Sequence, residues 1–397
     1  MKWPWVRRER NLISISDPAL AAFFGMGASY SGVAVSESTA LGLSSVYRAV
    51  SLIAGTLAGL PLRTVREVGE RRERVASFLD DPGEVADLTP FEWRETVHAH
   101  LLLHGNAFLA HVYNGGGGLA GLVPIHPLAV QIDPPPRVAG DQLIPPRTYK
   151  VSLQDGHRRT FTPATMTHIP ALRLDGLRGL SPISVARNSL GIAIAGDRAA
   201  GKLFSDGALI SGVVTPEEDF EPGDAEKIRA DLNAHVSGWE NAAQIAVINR
   251  KLKFTPWQMS AEDAQFMASR AFQVEEVARW YGVPPHLLMQ TDKQTSWGTG
   301  VAEQNRGLAR FTLAPWAQRV EQRLSRLLPA PRFVEYDFAG LVRPSPEQEI
   351  PLLIQQVNAG LMTPNEARAL RNMDPLPGGD ELRTPDPGSP ASEVTTP

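Results

Sequence analysis

No cysteine occurs among the 397 residues, which removes disulfides, thiolate nucleophiles and cysteine-bound zinc together. Such usage fits synthesis in a reducing cytosol. Long apolar runs are missing too, and none approaches the roughly 20 residues that a membrane span needs. The first ten residues, Met-Lys-Trp-Pro-Trp-Val-Arg-Arg-Glu-Arg, carry charge without an apolar centre and do not read as a secretory signal. Positive charge is not in surplus: 39 Lys and Arg stand against 43 Asp and Glu, for a formal net charge of -4. That balance argues against tight, non-specific nucleic-acid binding, which needs basic clusters that release counterions. Weak or sliding contact stays open. What the chain does have is 43% hydrophobic and 21% charged residues, the mix of a soluble globular protein. Its length gives room for two or three domains and a sizeable core.

The most informative stretch runs over residues 262–328. Phe266, Arg270, Val274, Val277 and Tyr281 recur at helical spacing, opened by Ser260 with Asp263 three residues on. Gly282 and the pair Pro284-Pro285 stop that helix. A polar run from Met289 to Gly300 separates it from a second helix pattern over 301–328, which Pro315 is expected to kink or restart. A long polar loop between two helices is functional or disordered. Its residue types suit contact with something polymeric that slides.

Upstream, residues 1–40 are irregular and rich in Gly and Ser, and read as an arm. Leu43, Val46, Val50, Ile53, Leu57 and Leu60 then fall three and four apart, the seam of a core helix ended by Pro61. Residues 62–75 alternate about Gly69 as a charged hairpin. Thr89, followed by Pro90 and by Glu92 in a capping box, starts a second helix that ends near Gly105. Strand patterns at 107–113, 128–132 and 149–153 make 41–175 an α+β domain.

Residues 182–207 form a helix pattern made unusual by Ala186, Gly191, Ala193, Ala195, Gly196, Ala199, Ala200 and Gly201. Each interior Gly costs roughly 1 kcal/mol against Ala, and close approach of another helix would offset that. A β-α-β-β unit is expected next, with strands near 210–215, 244–249 and 253–257 and a helix at 222–235. Its helical neighbours place it at the tip of a helical hairpin. A strand at 332–338 and two short capped helices follow, one at Ser345-Pro346 with Gln348 and one at Thr363-Pro364 with Glu366. From 375 onward, proline-rich sequence without a sustained apolar pattern reads as a disordered tail.

Candidate chemistry mostly fails on its own terms. Gly196-Asp-Arg-Ala-Ala-Gly201-Lys202-Leu203 nearly matches a phosphate-binding loop, but Leu203 replaces the magnesium-binding hydroxyl and the segment lies inside a helix pattern. Histidines gather at His98, His100, His104, His111 and His126. His100 and His104 share a helix face as in zinc proteases, yet position 101 is leucine where the glutamate belongs. Gly115 to Gly118 follows a strand and precedes Leu-Ala-Gly-Leu-Val, which makes it a hairpin turn. Gly27-Ala-Ser29-Tyr-Ser31-Gly32 lacks the spacing of a nucleophile elbow. No acid, base and nucleophile assemble, so no catalytic residue, metal or cofactor is expected.

Other segments form an ordered series: Ser44-Ser45-Val46-Tyr47-Arg48, Gly59-Leu60-Pro61-Leu62, Leu101-Leu-Leu-His-Gly105-Asn106-Ala107-Phe108 and Leu122-Val-Pro-Ile-His-Pro127. Gly179-Leu180-Ser181-Pro182-Ile183, Gly282-Val283-Pro284-Pro285-His286-Leu287-Leu288, Thr312-Leu313-Ala314-Pro315 and Thr363-Pro364-Asn365-Glu366-Ala367-Arg368 continue it. In that order, over residues 40–380, the chain resembles the portal proteins of tailed bacteriophages in the HK97-like family, which also serve gene transfer agents.

The resemblance implies an α+β portal-type fold with an α+β wing, a two-helix stem, a small α/β clip inserted at the stem tip, and a helical crown. Carried over, 1–40 is an N-terminal arm, 41–180 wing, 182–207 and 262–281 the stem helices, and 209–258 the clip. The tunnel loop is 286–300, the long helix and a wing strand 301–342, the crown 345–374 and a disordered tail 375–397. The implied function is a ring, typically a dodecamer, at a unique capsid vertex, forming the channel for packaging and ejecting double-stranded DNA. Terminase large subunit, major capsid protein and head-tail adaptor are the implied partners, with no membrane. The implied location is the virion, after assembly in host cytoplasm. Gln290, Thr291, Lys293, Gln294, Thr295, Ser296 and Trp297 would face DNA. Lys293 would meet phosphate, with Trp297 equally suited to anchoring the loop. Ala186, Gly191, Ala193, Gly196, Ala199, Ala200 and Gly201 would pack neighbouring stems. A non-channel virion scaffold and a phosphate-binding enzyme are the rival readings.

Overall fold

Helix α1 (Glu37–Leu41) and helix α2 (Ser44–Gly59) open the described chain, and the apolar seam of α2 turns inward as its spacing requires. The structure is a computed structural model, and it describes residues 29–69, 71–134, 147–152, 156–174, 176–205, 212–216, 252–256, 261–290, 303–304, 306–342 and 346–383. Val46, Ile53 and Leu57 on α2 are fully buried, as are Trp93, Val97, Leu101 and Leu102 on helix α3 (Pro90–His104). Full burial of such a side chain contributes about 1.5–3 kcal/mol, so this helix pair anchors the unit. Thr89 closes the expected capping box with Glu92, and Gly105 ends α3 in the left-handed region at φ 66°.

Three small antiparallel sheets accompany the pair. Strand β1 (Leu62–Val68) pairs with β2 (Arg71–Arg74) across Gly69, where φ is 63°. Its other edge takes β11 (Arg332–Tyr336), with Leu62 opposite Tyr336. The sequence read both segments as strands, and their pairing joins chain ends that lie far apart. Strand β3 (Asn106–Tyr113) lies between β4 (Leu119–Ile125) and β8 (Met166–Pro170). A third sheet runs β5 (Val130–Asp133), β6 (Thr148–Ser152), β7 (Arg158–Phe161). Phe108, Ala110, Val130, Tyr149, Val151 and Met166 pack between these two sheets.

Helix α4 (Pro182–Val185) and helix α5 (Arg187–Ser205) break the expected single helix at Ala186. Beyond it, β9 (Gly212–Pro216) and β10 (Leu252–Pro256) form an antiparallel pair. The expected helix at 222–235 and strand at 244–249 lie outside the described residues. Helix α6 (Ala261–Tyr281) follows, then a 3-10 turn at Pro285–Leu288. A π-turn at Leu308–Leu313 runs straight into helix α7 (Ala314–Ser325), with Pro315 in its first turn. The helix thus restarts at the proline, where the missing N–H costs least.

The chain divides into two compact units, Met1–Asp337 and Phe338–Pro397. The second contains helices α8 (Ala339–Val342), α9 (Pro346–Asn358) and α10 (Pro364–Leu370). The Thr363 box is present, and the buried Asn365 side chain binds Leu376 through both N–H and carbonyl. Residues 375–380, assigned to the tail by composition, are therefore held against α10. The arm reading is corrected likewise at its end: Val35 and Ala40 are buried, and Ser36 caps α1 with Thr39.

Candidate subunit-contact and channel site

Helices α5 and α6 pack along each other, and Arg270 of α6 meets Asp197 of α5 at 2.9 Å. Ser189 reaches Glu276 at 3.5 Å. The small residues of α5 divide between two roles. Ala186, Ala193 and Ala200 are buried within the chain itself, as is Gly191, where a Cβ would stand 2.1 Å from Ser29 Oγ. The missing side chain at 191 thus admits the chain's own residues 29–31, a close approach the sequence assigned to a neighbouring copy. Ala199 and Gly201 are exposed, Gly196 is half-buried, and nothing lies within 4 Å of a Cβ at Gly201. Larger apolar side chains share that exposure: Ile192 at 50%, Phe272 at 48% and Trp280 at 41%.

The described start of the segment expected to line a channel, residues 286–290, sits in a firmly held turn. Tyr281 donates its buried hydroxyl hydrogen to the Leu102 carbonyl of α3, and burial pushes that phenol above its ordinary pKa. Arg48 Nε donates to the Leu287 carbonyl at 3.2 Å. Met289 sits in the left-handed region at φ 63°, 75% exposed, and Gln290 N–H closes the turn onto Pro285 O. Gln290 is the last described residue of the expected loop. Thr291, Lys293, Gln294, Thr295, Ser296 and Trp297 lie outside the described residues.

Two glycine-bearing segments meet in a buried knot that sets where α4 and α5 begin. Asn106 donates to the His104 and Gly179 carbonyls, both at 2.8 Å, and accepts from Gly179 N–H at 2.7 Å. Ser181 Oγ donates to the Leu103 carbonyl while capping α4 at Ser184. A Cβ on Gly105 would stand 1.9 Å from the Leu180 carbonyl oxygen, so only glycine fits. His168 shares Asn106 Oδ1 and stacks on Phe108 at 4.5 Å. Burial, reinforced by Arg147, Arg323, Arg173 and Arg178, drives its pKa down to about 3.

Those arginines form a grouping that sequence distance hid. Arg147 and Arg173 both donate to the Gly176 carbonyl, and Arg319 to the Pro170 carbonyl. Among the described residues none of Arg147, Arg173, Arg319 and Arg323 pairs with a carboxylate. Burial first, and then like charge, lowers the pKa values of Arg319 and Arg323. Such a cluster favours an anion.

One group of described side chains has metal-ligating geometry. Glu37 Oε2 lies 3.1 Å from His104 Nε2 and 3.3 Å from His126 Nε2. The hydrogen bonds from His104 and His126 hold the Glu37 carboxyl well below the usual carboxylate range. The sequence named both histidines but not Glu37, which sits in the segment it read as an arm. The phosphate-loop-like residues 196–203 lie within helix α5, with no strand ahead of them to form a loop.

Helices α5 and α6 thus pair within the chain while Ile192, Phe272 and Trp280 stay exposed. The chain belongs to the phage portal protein family, whose model, described as "Phage portal protein", matches residues 44–372, and its function is that of a portal protein. It is 34% identical over 388 residues to the probable portal protein of Streptomyces phage phiC31, covering 93% of this chain and 83% of that one. It is 29% identical over 358 residues to the portal protein of Enterobacteria phage HK97, covering 87% and 82%. The fold matches a chain in the neck of an empty gene transfer agent particle computed with C6 symmetry, at TM-score 0.60 and 24% identity, covering 90% and 93%. It also matches the crystal structure of an HK97 family phage portal protein from Corynebacterium diphtheriae, at TM-score 0.51 and 18% identity, covering 79% and 100%.

Proposed function

We propose that copies of this chain close into a ring at one capsid vertex, with double-stranded DNA entering and leaving through its centre. Family membership carries the reading, and the apolar side chains left exposed on α5 and α6 support it. Ile192, Phe272 and Trp280 offer a neighbouring copy the kind of surface that subunit interfaces bury. Exposed Ala199 and Gly201 allow a second helix close approach. The related neck particles were computed with C6 and C12 symmetry, and twelve copies is the number proposed here.

In this reading 41–180 and 332–342 form a wing, α5 and α6 a stem, and 209–258 a clip that docks the terminase large subunit and the head-tail adaptor. Residues 345–374 form a crown, and the major capsid protein surrounds the ring. Residues 286–300 line the narrowest part of the channel, where Lys293 meets phosphate and the Gln, Thr and Ser side chains form weak, exchangeable hydrogen bonds. A net charge of -4 suits sliding better than a clamp. The particle is the place of function, and host cytoplasm the place of assembly. Among the described residues no helix is long and apolar enough to cross a membrane.

Native mass spectrometry of the purified chain tests the ring directly. A closed oligomer of about twelve copies is expected, and a monomer at every concentration would contradict it. Removing residues 209–258 should leave rings that no longer retain terminase or adaptor in a pull-down. Retained docking would remove the clip assignment.

A further inference from the structure

We propose that Glu37, His104 and His126 form a site for a divalent transition-metal ion, with Zn2+ the cation their donor set suits. The three donor atoms come from the first turn of α1, the last turn of α3 and the cap of a 3-10 turn at Pro127–Ala129. All lie within 4.8 Å of one another. Four-coordinate zinc with bonds of about 2.0–2.1 Å spaces its ligand atoms by about 3.3 Å, and the Glu37 oxygen already stands 3.1 and 3.3 Å from the two Nε2 atoms. Two imidazoles and one carboxylate are a set that zinc accepts with a fourth position left to water. His104 is 7% exposed, whereas His126 is 40% and Glu37 25% exposed, so the group is rooted in the core and still reachable.

A second observation lies beside it. The Nδ1 atom of His100, one turn before His104, is buried without a partner, and its ring meets His126 edge-on at 5.4 Å. His100 is not a ligand in this arrangement. It places a third imidazole ring beside the group. Coordination has one local cost. A metal on Nε2 requires both imidazoles to carry their proton on Nδ1, and at His126 this gives up the hydrogen bond that Leu128 N–H donates to Nδ1 at 3.3 Å. His126 is therefore the weakest of the three ligands. The ion would clamp residues 37, 104 and 126 together, tying the start of the described chain to the α3 core. It stands or falls independently of how copies of the chain assemble.

Untagged full-length protein, stripped with chelator and titrated with Zn2+ alone by calorimetry, tests the site. One ion per chain is expected, bound at least tenfold more tightly than by Glu37→Gln or His104→Gln. His100→Gln should bind as the parent does. Co2+ should give the intense visible absorption of a four-coordinate ion in the parent and lose it in Glu37→Gln. Equal binding by parent and variants, or no binding by the parent, would reduce the group to a carboxylate–imidazole hydrogen-bond cluster. The parent's own titration and cobalt spectrum keep the test valid if a variant fails to fold.

Discussion

At the scale of single residues, buried histidines set how the fold answers to acid. His98 donates or accepts at Tyr336 OH, 3.0 Å away, and burial and Arg94 lower its pKa to about 3 from 6.5. His168 is lowered to about 3 as well. Both are neutral in the fold and charged in the unfolded chain below about pH 6.5. The unfolded state therefore binds more protons between pH 6.5 and about 3, and stability falls as pH drops through that window. Urea midpoints measured from pH 7 to pH 4 should decline, with a shallower slope in His168→Gln; a flat profile in the parent would contradict neutral burial. Gly105 gives a steric counterpart. Gly105→Ala faces both a positive φ and the Leu180 carbonyl, and should cost roughly 3 kcal/mol or more. Gly69→Ala faces open space and should cost about 1 kcal/mol. Equal losses in chemical denaturation would overturn the knot at 105 and 179. The sequence could name His100 and His104 as a helix-face pair. It could not supply Glu37, because the ligand that completes the group lies 67 residues away and only folding brings it there.

At the scale of elements, legibility followed local chemistry. Helix α2 was readable from its apolar seam, and α3 from a capping box at one end and a left-handed glycine at the other. The β1–β2 hairpin was readable from Gly69. Helix α1 escaped notice because its box uses Ser36 and Thr39, without the glutamate that marks the pattern. Strand β8 also escaped, although all five of its residues are buried; Thr and His within it break the apolar signal, and Asn106 satisfies His168 only after folding. The small-residue face of α5 was visible, but which partner each position meets was not. Gly191 serves the chain's own Ser29, while Ala199 and Gly201 remain exposed. Caps and surface ion pairs should separate clearly on α3 and α6. Thr89→Ala should lose about 1 kcal/mol in thermal or chemical denaturation, whereas Arg270→Gln, half-exposed in its pair with Asp197, should lose less than about 0.5 kcal/mol. The reverse order would mean that the helix pair leans on its ion pair.

At the scale of the whole molecule, the pairing of β1 with β11 and the hold of Tyr281 on α3 make one framework from segments spread across most of the chain. That framework holds residues 286–290, the described start of the expected loop. The family follows from the family model and the 34% identical relative, while the closing of copies around a DNA-wide opening is the central proposal. Cryo-electron microscopy of the purified, assembled protein tests it most directly. A closed ring with α5 and α6 of adjacent copies in contact, and Lys293 near the axis at the narrowest point, is the expected image. Single copies, open chains, or a ring with Lys293 on its outer surface would contradict it.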